Sequence, residues 1–306
     1  MSSLDTDLLI DRRRLKRRLL FWRLATVVVA AVGLLFLVPP HLNRDHVVRL
    51  KVSGIITDTT KMVRALDKLT DDDSVKALEV EISSPGGGVY PSEALHDAIA
   101  RVAAKKPVVV VMGSVAASGG FMIAMPAKRI FAGNSTLTGS IGVLLQTEEV
   151  SGLLDKIGVS SETLVSGPLK DQPSLTHKLS DAGRGVLQGL VADLYDQFVA
   201  IVATGRHMDP AKVRELADGR AFTGRQALAL GLIDAIGDEI DARKWLEQSE
   251  GVSQKLPVEE LRTTGRLQAM VADDLSPLLG DALKTVLYQG VALDGGQTLW
   301  QPSQVQ

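Results

Sequence analysis

Ser118 stands among alanines and glycines in the segment "VMGSVAASGGFMIAM", residues 111–125, just where an apolar run ends. A serine on a turn between a strand and a helix is held at the end of the sheet with its side chain accessible. Small neighbours let the backbone of a substrate come close to it. The segment therefore predicts a nucleophile, although it does not match the G-x-S-x-G pattern. A closely packed structural turn would explain the same small residues equally well.

A second glycine turn, "SSPGGGV" at residues 83–89, follows the preceding predicted strand. The carboxyl ends of neighbouring parallel strands meet at one edge of a sheet, which is where sites form. Consecutive glycines can turn their N–H groups toward a developing oxyanion, so Gly86 and Gly87 are candidate donors, with the amide of Gly119 as another. By itself a Pro-Gly-Gly-Gly run is more often an ordinary turn.

Alternating strands and helices position these two turns. Apolar alternation predicts strands at 47–56 and 77–83, a β-branched run predicts a strand at 107–113, and helical spacing predicts a helix at 91–105. This order indicates an α/β fold with a parallel sheet flanked by helices. Further strands are predicted at 129–133, 140–145 and 162–167, and a long helix at 180–204 with Ser180 as its N-cap.

The N-terminus predicts a membrane anchor. The cationic run "RRRLKRR" at 12–18 precedes a long apolar stretch within 19–40. Orientation by positive charge puts residues 1–18 in the cytoplasm, and the lack of an A-x-A-like site favours an uncleaved anchor. The expected organisation is a basic N-terminus (1–18), a transmembrane helix (19–40), a catalytic core (41–250) and a C-terminal extension of unknown role (251–306).

Composition excludes several classes of chemistry. The chain has no cysteine, which rules out disulfides, thiolate nucleophiles and cysteine-ligated zinc. It has 34 basic and 36 acidic residues, so its overall charge gives no argument for nucleic-acid binding. Metal-binding H-E-x-x-H spacing, a Walker loop and a dinucleotide fingerprint are all missing from the sequence. We therefore expect no metal and no cofactor.

Four segments together resemble one family: "EISSPGGGV", "GSVAASGGFMIAM", "TLTGSIGVL" and "GRAFTGRQALALGLIDAIG". In this order they are similar to the signal peptide peptidase A family of membrane-bound bacterial serine proteases, which has a Clp protease/crotonase-type core. The resemblance covers about residues 47–245 and matches the short, single-core form of the family. It implies that Ser118 is a protease nucleophile.

The resemblance also implies the base. The family pairs its serine with a lysine, and the motif "SGPLKDQPS" puts that lysine at Lys170. A free lysine has a pKa of about 10.4, so a lysine base has to be buried in apolar surroundings to be neutral. The adjacent Asp171 is expected to point away from it, and Ser140 resembles the residue that orients the lysine. Without the resemblance Lys170 would be taken for a solvated loop residue, and among the histidines His177 is kept as an alternative base.

The function that the resemblance implies is a Ser-Lys serine endopeptidase, anchored in the inner membrane with its catalytic domain outside. Its expected substrates are remnant signal peptides and other unfolded apolar peptides, and its expected assembly is a homo-oligomeric ring. One alternative is a catalytically silent membrane scaffold of the same fold. Another is a crotonase-like acyl-CoA enzyme, which the anchor disfavours because acyl-CoA substrates are cytoplasmic.

Overall fold

The computed structural model describes residue 16, residues 19–28, residue 30 and residues 44–261. The chain divides into two compact units, Met1–His46 and Val47–Gln306. In the first unit an apolar helix α1 spans Leu19–Val28, and the rest of the predicted anchor lies outside the described residues. Among the described residues, one helix, Asp181–Arg206 of the second unit, is long and apolar enough by length and composition alone to cross a membrane.

The second unit is built on one mixed sheet of eight strands flanked by helices. The strand order is β6-β5-β3-β2-β1-β8, with β4 and β7 branching from β3. The elements in chain order are β1 His46–Ile56, α2 Thr60–Thr70, β2 Val75–Gly87, α3 Val89–Ala103, β3 Val108–Ala117, α4 Gly119–Met122, β4 Arg129–Ala132, β5 Leu137–Gly139, α5 Ser151–Lys156, α6 Asp181–Arg206, α7 Pro210–Leu216, β6 Ala221–Thr223, α8 Gly224–Ala229, β7 Ala235–Ile236, α9 Glu239–Glu250 and β8 Val258–Glu260.

Strand β3 lies at the centre of the sheet and directs the chain toward the serine turn. It pairs in parallel with β2 on one side. On its other side β4 pairs with residues 109–112 and β5 with residues 115–117, both in parallel. β5 continues the sheet to β6 in an antiparallel pair. The carboxyl ends of β2, β3 and β5 therefore meet at one edge, as the sequence predicts for a parallel sheet.

Both faces of the sheet are covered. On one face α2, α3, α4 and α6 enclose the larger core, where Leu78, Ile82 and Phe121 are fully buried. On the other face α9 packs Leu246 against the smaller cluster that contains Val109. β-branched residues in the central strands suit such two-sided burial.

The smaller core contains a buried ion pair. Glu79 of β2 is 1 % exposed and accepts a hydrogen bond of 2.9 Å from Nε of Arg49 on β1. Arg49 also pairs with Glu239 at the start of α9. Burial raises the pKa of the Glu79 carboxyl, and the positive charge of Arg49 opposes that rise. These contacts link β1, β2 and the covering helix α9.

Two predicted strands are wrong. Residues 140–150 and 157–165 have no regular structure, and the strand in this region is instead β5 at 137–139. The predictions rested on apolar residues, but Leu144 is 84 % exposed and Leu164 is 90 % exposed in this chain. Without a neighbouring strand or core to cover them, apolar side chains alone do not make a strand.

The other predicted elements in the described part are confirmed. Helix α6 begins as predicted, because the Ser180 hydroxyl accepts a hydrogen bond of 3.0 Å from the N–H of Gly183. β3 is longer than predicted and runs to Ala117, where it pairs with Gly139 of β5. β8 pairs with β1, so the sheet includes residues beyond 250. The rest of the predicted C-terminal extension, from residue 262, lies outside the described residues.

Candidate active site

Ser118 lies at the junction of β3 and α4 in an unusual backbone conformation, with φ 53° and ψ −122°. Its N–H donates to the carbonyl of Gly139 at 2.9 Å, and its own carbonyl accepts from Phe121 and Met122, both at 2.9 Å. A positive φ at a residue other than glycine costs about 1–3 kcal/mol and persists only where the surroundings hold it. Within the described residues the Ser118 hydroxyl makes no hydrogen bond. The turn therefore restrains the backbone of Ser118, while its Oγ has no hydrogen-bond partner in the described part of the chain.

The glycine turn of β2 packs directly against the serine turn. A Cβ at Gly86 would lie 2.9 Å from the Cβ of Ser118 and 2.9 Å from the amide nitrogen of Gly119. A Cβ at Gly119 would in turn collide with the hydroxyl of Ser92, which is buried at the start of α3. Gly86 also has a φ of 106°, which L side chains rarely adopt. The glycines are thus needed for close approach of two backbones, and this confirms that the two predicted turns come together.

Ser84 is a residue of this site that the sequence interpretation missed. It is fully buried, and its Oγ donates to the carbonyl of Gly54 at 2.6 Å and accepts the N–H of Gly86 at 3.1 Å. The Gly86 N–H, predicted as an oxyanion donor, is consequently already engaged. The N–H of Gly119 has no acceptor within the described residues. A buried hydroxyl next to a Pro-Gly-Gly turn needs hydrogen-bond partners, and that requirement could have pointed to Ser84.

A pocket of about 430 Å³ opens at Ser118. Ser118 and Ser140 supply hydroxyls to it, and Gly87 and Gly119 line it beside them. The other lining residues include several apolar side chains and no charged one: Pro85, Val89, Ser92, Met122, Gly142, Val143, Leu144, Leu194, Phe198 and Gly219. An apolar pocket with a few convergent polar groups is the usual form of a small binding site.

Ser140 directly follows β5 and has a φ of 48°. Its N–H donates to the carbonyl of Arg220 at 2.9 Å, and its hydroxyl donates to the carbonyl of Gly219 at 3.2 Å. The hydroxyl oxygen keeps a lone pair for a further donor. The structure thus places Ser140 in the same pocket as Ser118, where an incoming amine could reach it.

Lys170 is not brought to the pocket. It lies in a turn at residues 168–171, is exposed, and is absent from the pocket lining. Within residues 44–261 its ammonium group makes no hydrogen bond or ion pair. The burial that a lysine base requires is therefore missing in the single chain. His177, the alternative base, does not line the pocket either.

A second cavity of about 650 Å³ adjoins the serine pocket and shares Gly142, Val143, Leu144 and Gly219 with it. Its further walls include Leu187 and Tyr195 of α6. The segment of residues 141–179, here called the lysine segment, supplies part of the cavity lining. It exposes many apolar side chains: Leu144, Leu145, Val150, Leu153, Ile157, Val159, Leu164, Val165, Leu169 and Leu175. Where exposed apolar side chains form a contiguous patch, that patch marks an interaction site.

Comparison with known proteins decides the family. The family model of Peptidase family S49 matches residues 100–253, which include Ser118, Ser140 and Lys170. A protein of Synechocystis sp. named "Putative protease slr0021" is 39% identical, over 84% of this chain and 96% of that protein. The chain belongs to peptidase family S49.

Other relatives of this S49 peptidase carry similar names. The "Putative signal peptide peptidase SppA" of Enterococcus faecium is 36% identical over 78% of the chain and 74% of that protein. Protease 4 of Salmonella typhi is 42% identical over 56% of the chain, but the match covers only 28% of that longer protein. The resemblance to the signal peptide peptidase A family is confirmed, and the S49 chain is a serine peptidase.

The predicted fold class is also confirmed. A Clp protease family model matches residues 40–138 of the S49 chain, and the sheet with its flanking helices is the expected core. Among solved structures, a mutant of the membrane-bound stomatin-specific protease 1510-N aligns with a TM-score of 0.48 and 16% identity, over 72% of this chain and 99% of that chain. A mutant of ClpP1 from Listeria monocytogenes aligns with a TM-score of 0.43 and 15% identity, over 63% and 92%.

Proposed function

We propose that this protein is a membrane-anchored Ser-Lys endopeptidase that degrades remnant signal peptides and other unfolded apolar peptides outside the inner membrane. The observation that carries the proposal is the pocket at Ser118. It combines a strained serine with a free hydroxyl, an unengaged Gly119 amide and an apolar lining. Family membership supplies the reaction class, hydrolysis of a peptide bond.

The reaction proceeds by covalent catalysis. Neutral Lys170 accepts the proton of Ser118 Oγ as this oxygen bonds to the scissile carbonyl carbon. The carbonyl oxygen becomes an oxyanion, which the amides of Gly119 and Gly87 stabilise. Lys170 then gives the proton to the leaving amine as the C–N bond breaks, which leaves an acyl-enzyme. Water attacks the acyl group with Lys170 again as base, and Ser118 is regenerated with the release of a carboxylate.

Lys170 must become buried for this chemistry. Two routes lead there: the turn at 168–171 closes over the pocket of its own chain, or a second copy covers it. The apolar side chains of the lysine segment favour a contact that buries them, since each large apolar side chain removed from water contributes about 1.5–3 kcal/mol. A homo-oligomer formed through this segment would bring Lys170 into apolar surroundings, with Ser140 to orient its amine.

The proposed substrate class follows from the residues that line the serine pocket and from the basic and apolar N-terminal sequence. The serine pocket offers apolar side chains such as Val89, Met122 and Phe198, which suit apolar residues of an extended peptide. The basic run at 12–18 and the apolar stretch at 19–40 would tether the enzyme to the membrane, with the catalytic unit outside. Peptides that partition into the bilayer, such as remnant signal peptides, would meet the enzyme there.

The test is hydrolysis of a synthetic signal peptide by the full-length chain in detergent. Ser118→Ala and Lys170→Ala are each expected to lower the rate to background, because each removes one half of the dyad. Lys178→Ala is the matched control, a nearby lysine that does not line the pocket, and it should keep the parental rate. Reaction of the parent with a phosphonylating probe, lost in Ser118→Ala, would identify the nucleophile.

The other outcomes distinguish the alternatives. A folded parent that neither cleaves peptides nor reacts with the probe would favour the silent scaffold. A Lys170→Ala variant with the parental rate would put the base elsewhere, and His177 would be tested next. Mixing Ser118→Ala with Lys170→Ala chains should restore activity if the lysine comes from a neighbouring copy, and should not if each chain is complete.

A further inference from the structure

The ring nitrogen Nδ1 of His177 lies near three side-chain oxygen atoms, close in sequence to the turn that holds Lys170. This nitrogen lies 3.1 Å from the hydroxyl of Ser174, 3.1 Å from that of Thr176 and 3.4 Å from Oδ2 of Asp171. The carboxylate of Asp171 thus lies within ion-pair distance of the imidazole. It makes no ion pair with the neighbouring Lys170 within the described residues. A contact of this kind would direct the Asp171 side chain away from Lys170, as expected from the sequence.

A free carboxylate beside Lys170 would oppose catalysis. An opposite charge within about 4–6 Å of an ammonium group favours its charged form, and the effect grows as water is excluded. Asp171 is covalently adjacent to Lys170, so no movement of the turn can separate the two backbones. Only the direction of the Asp171 side chain can keep the two charges apart, and a partner for that carboxylate fixes its direction.

Other charged groups lie on the elements that flank the Lys170 turn. The turn packs near the start of α5, where the N–H of Val150 donates to the carbonyl of Leu175 at 2.8 Å, and near the start of α6, where Gln172 accepts the N–H of Ser180 at 3.0 Å. Within the described residues, no charged group of these elements forms an ion pair with Asp171, His177 or Lys170. The groups concerned are Glu148, Glu149, Asp155, Lys156, Lys178, Asp181 and Arg184.

We propose that His177 is a positioning residue that holds the Asp171 carboxylate away from the Lys170 amine, so that the amine can be neutral when the site assembles. This inference rests on the proposed Ser-Lys dyad. His177 touches neither the substrate nor the reacting atoms, and it acts through Asp171 alone.

The experiment is a pH profile of kcat/KM for the full-length chain in detergent, from about pH 6 to about pH 10. In His177→Ala the released carboxylate can turn to Lys170. The midpoint of the acidic limb should rise by about one pH unit, and kcat/KM at neutral pH should fall about tenfold. His177→Asn, whose side-chain N–H can replace Nδ1, should keep the parental profile. His177→Ala combined with Asp171→Asn should also return to the parental profile.

A matched control is His96→Ala, since His96 makes a similar contact with Asp97 at 2.9 Å on α3 and does not line the pocket. It should leave the midpoint unchanged. A parental profile in His177→Ala, or a shift that persists in the double variant, overturns the positioning role while the dyad stands. Full activity of Lys170→Ala overturns the dyad and this inference together.

Discussion

The two halves of the proposed dyad lie in regions of opposite character. Ser118 lies on a turn at the end of β3, where Gly86 packs directly against it. The fully buried Ser84 binds the N–H of Gly86. Lys170 lies in the lysine segment, where Leu164 is 90 % exposed and the turn has no contact with the pocket. The proposed nucleophile is therefore preorganised by the core, whereas the proposed base depends on a contact that the single chain does not make.

This difference has a physical origin. A strained serine turn needs the dense packing of a sheet edge, because about 1–3 kcal/mol of backbone strain must be balanced locally. Lysine side chains are usually solvated, whereas a lysine base has to be buried in apolar surroundings. Burial of its amine in a single chain would cost free energy before any substrate is present. In the proposed assembly, a lysine on an apolar segment would be buried only when that segment docks, and the cost would arise at that step.

Among these variants, Gly86→Ala should cause the greatest loss of activity, because it changes the turn that packs against Ser118. The new Cβ would collide with Ser118 and Gly119, and the φ of 106° disfavours alanine. We expect kcat/KM to fall by at least about 100-fold, comparable with loss of an oxyanion donor. Gly167→Ala in the lysine segment is the control, because nothing lies within 4 Å of its Cβ position. Equal losses in the two variants would contradict the contrast between the regions.

The second effect tests the apolar surface. Leu164→Glu should change the free energy of unfolding by less than about 0.5 kcal/mol, since the side chain is already exposed in the single chain. It should nevertheless reduce the oligomer measured by light scattering, and lower activity about tenfold, if the segment docks on a second copy. Glu162→Gln, two residues away, should affect neither. An oligomer of unchanged size would show that this leucine lies outside the contact.

A third, smaller effect is expected from Ser84→Ala. The change leaves the N–H of Gly86 and the carbonyl of Gly54 without their buried partner, at a cost of about 1–3 kcal/mol of stability by urea unfolding. Because Gly86 then loses a hydrogen bond that fixes it beside Ser118, the proposed nucleophile, kcat should fall with little change in KM. Ser166→Ala, an exposed serine of the lysine segment, should be silent in both measurements. A stability loss with unchanged kcat would restrict Ser84 to a structural role.

The fourth and smallest effect concerns the buried carboxyl of Glu79 on β2. Because burial raises the pKa of Glu79, the folded protein binds more protons than the unfolded one above the ordinary glutamate pKa of about 4.3. Its contribution to stability is full below that pH and is lost as the pH rises through the raised pKa. The stability of the parent relative to Glu79→Gln should therefore decline as the pH rises above about 4.3. An opposite slope would mean that the positive charge of Arg49 outweighs the effect of burial on the pKa of Glu79.

Particular residues show how far the sequence could go. The alternation around Val80 and the β-branched run from Val108 identified central strands, because the pleat of a sheet imposes a period of two and full burial demands apolar residues. Ser180 identified the start of α6 through its hydroxyl. Leu144 and Leu164 misled, because an apolar run indicates burial without saying whether the chain itself or another copy provides it.

The sequence by itself determined the sheet, the two glycine-containing turns and, through its four motifs, the peptidase family, since periodicity and turn chemistry are local properties of the chain. Tertiary structure alone decided that Ser84 holds Gly86, that Gly86 abuts Ser118 and that Ser140 enters the serine pocket. It also leaves Lys170 exposed and brings Asp171 Oδ2 within 3.4 Å of His177 Nδ1. Such contacts join residues far apart in the chain or set the direction of one side chain, and packing fixes both only after the strands have paired.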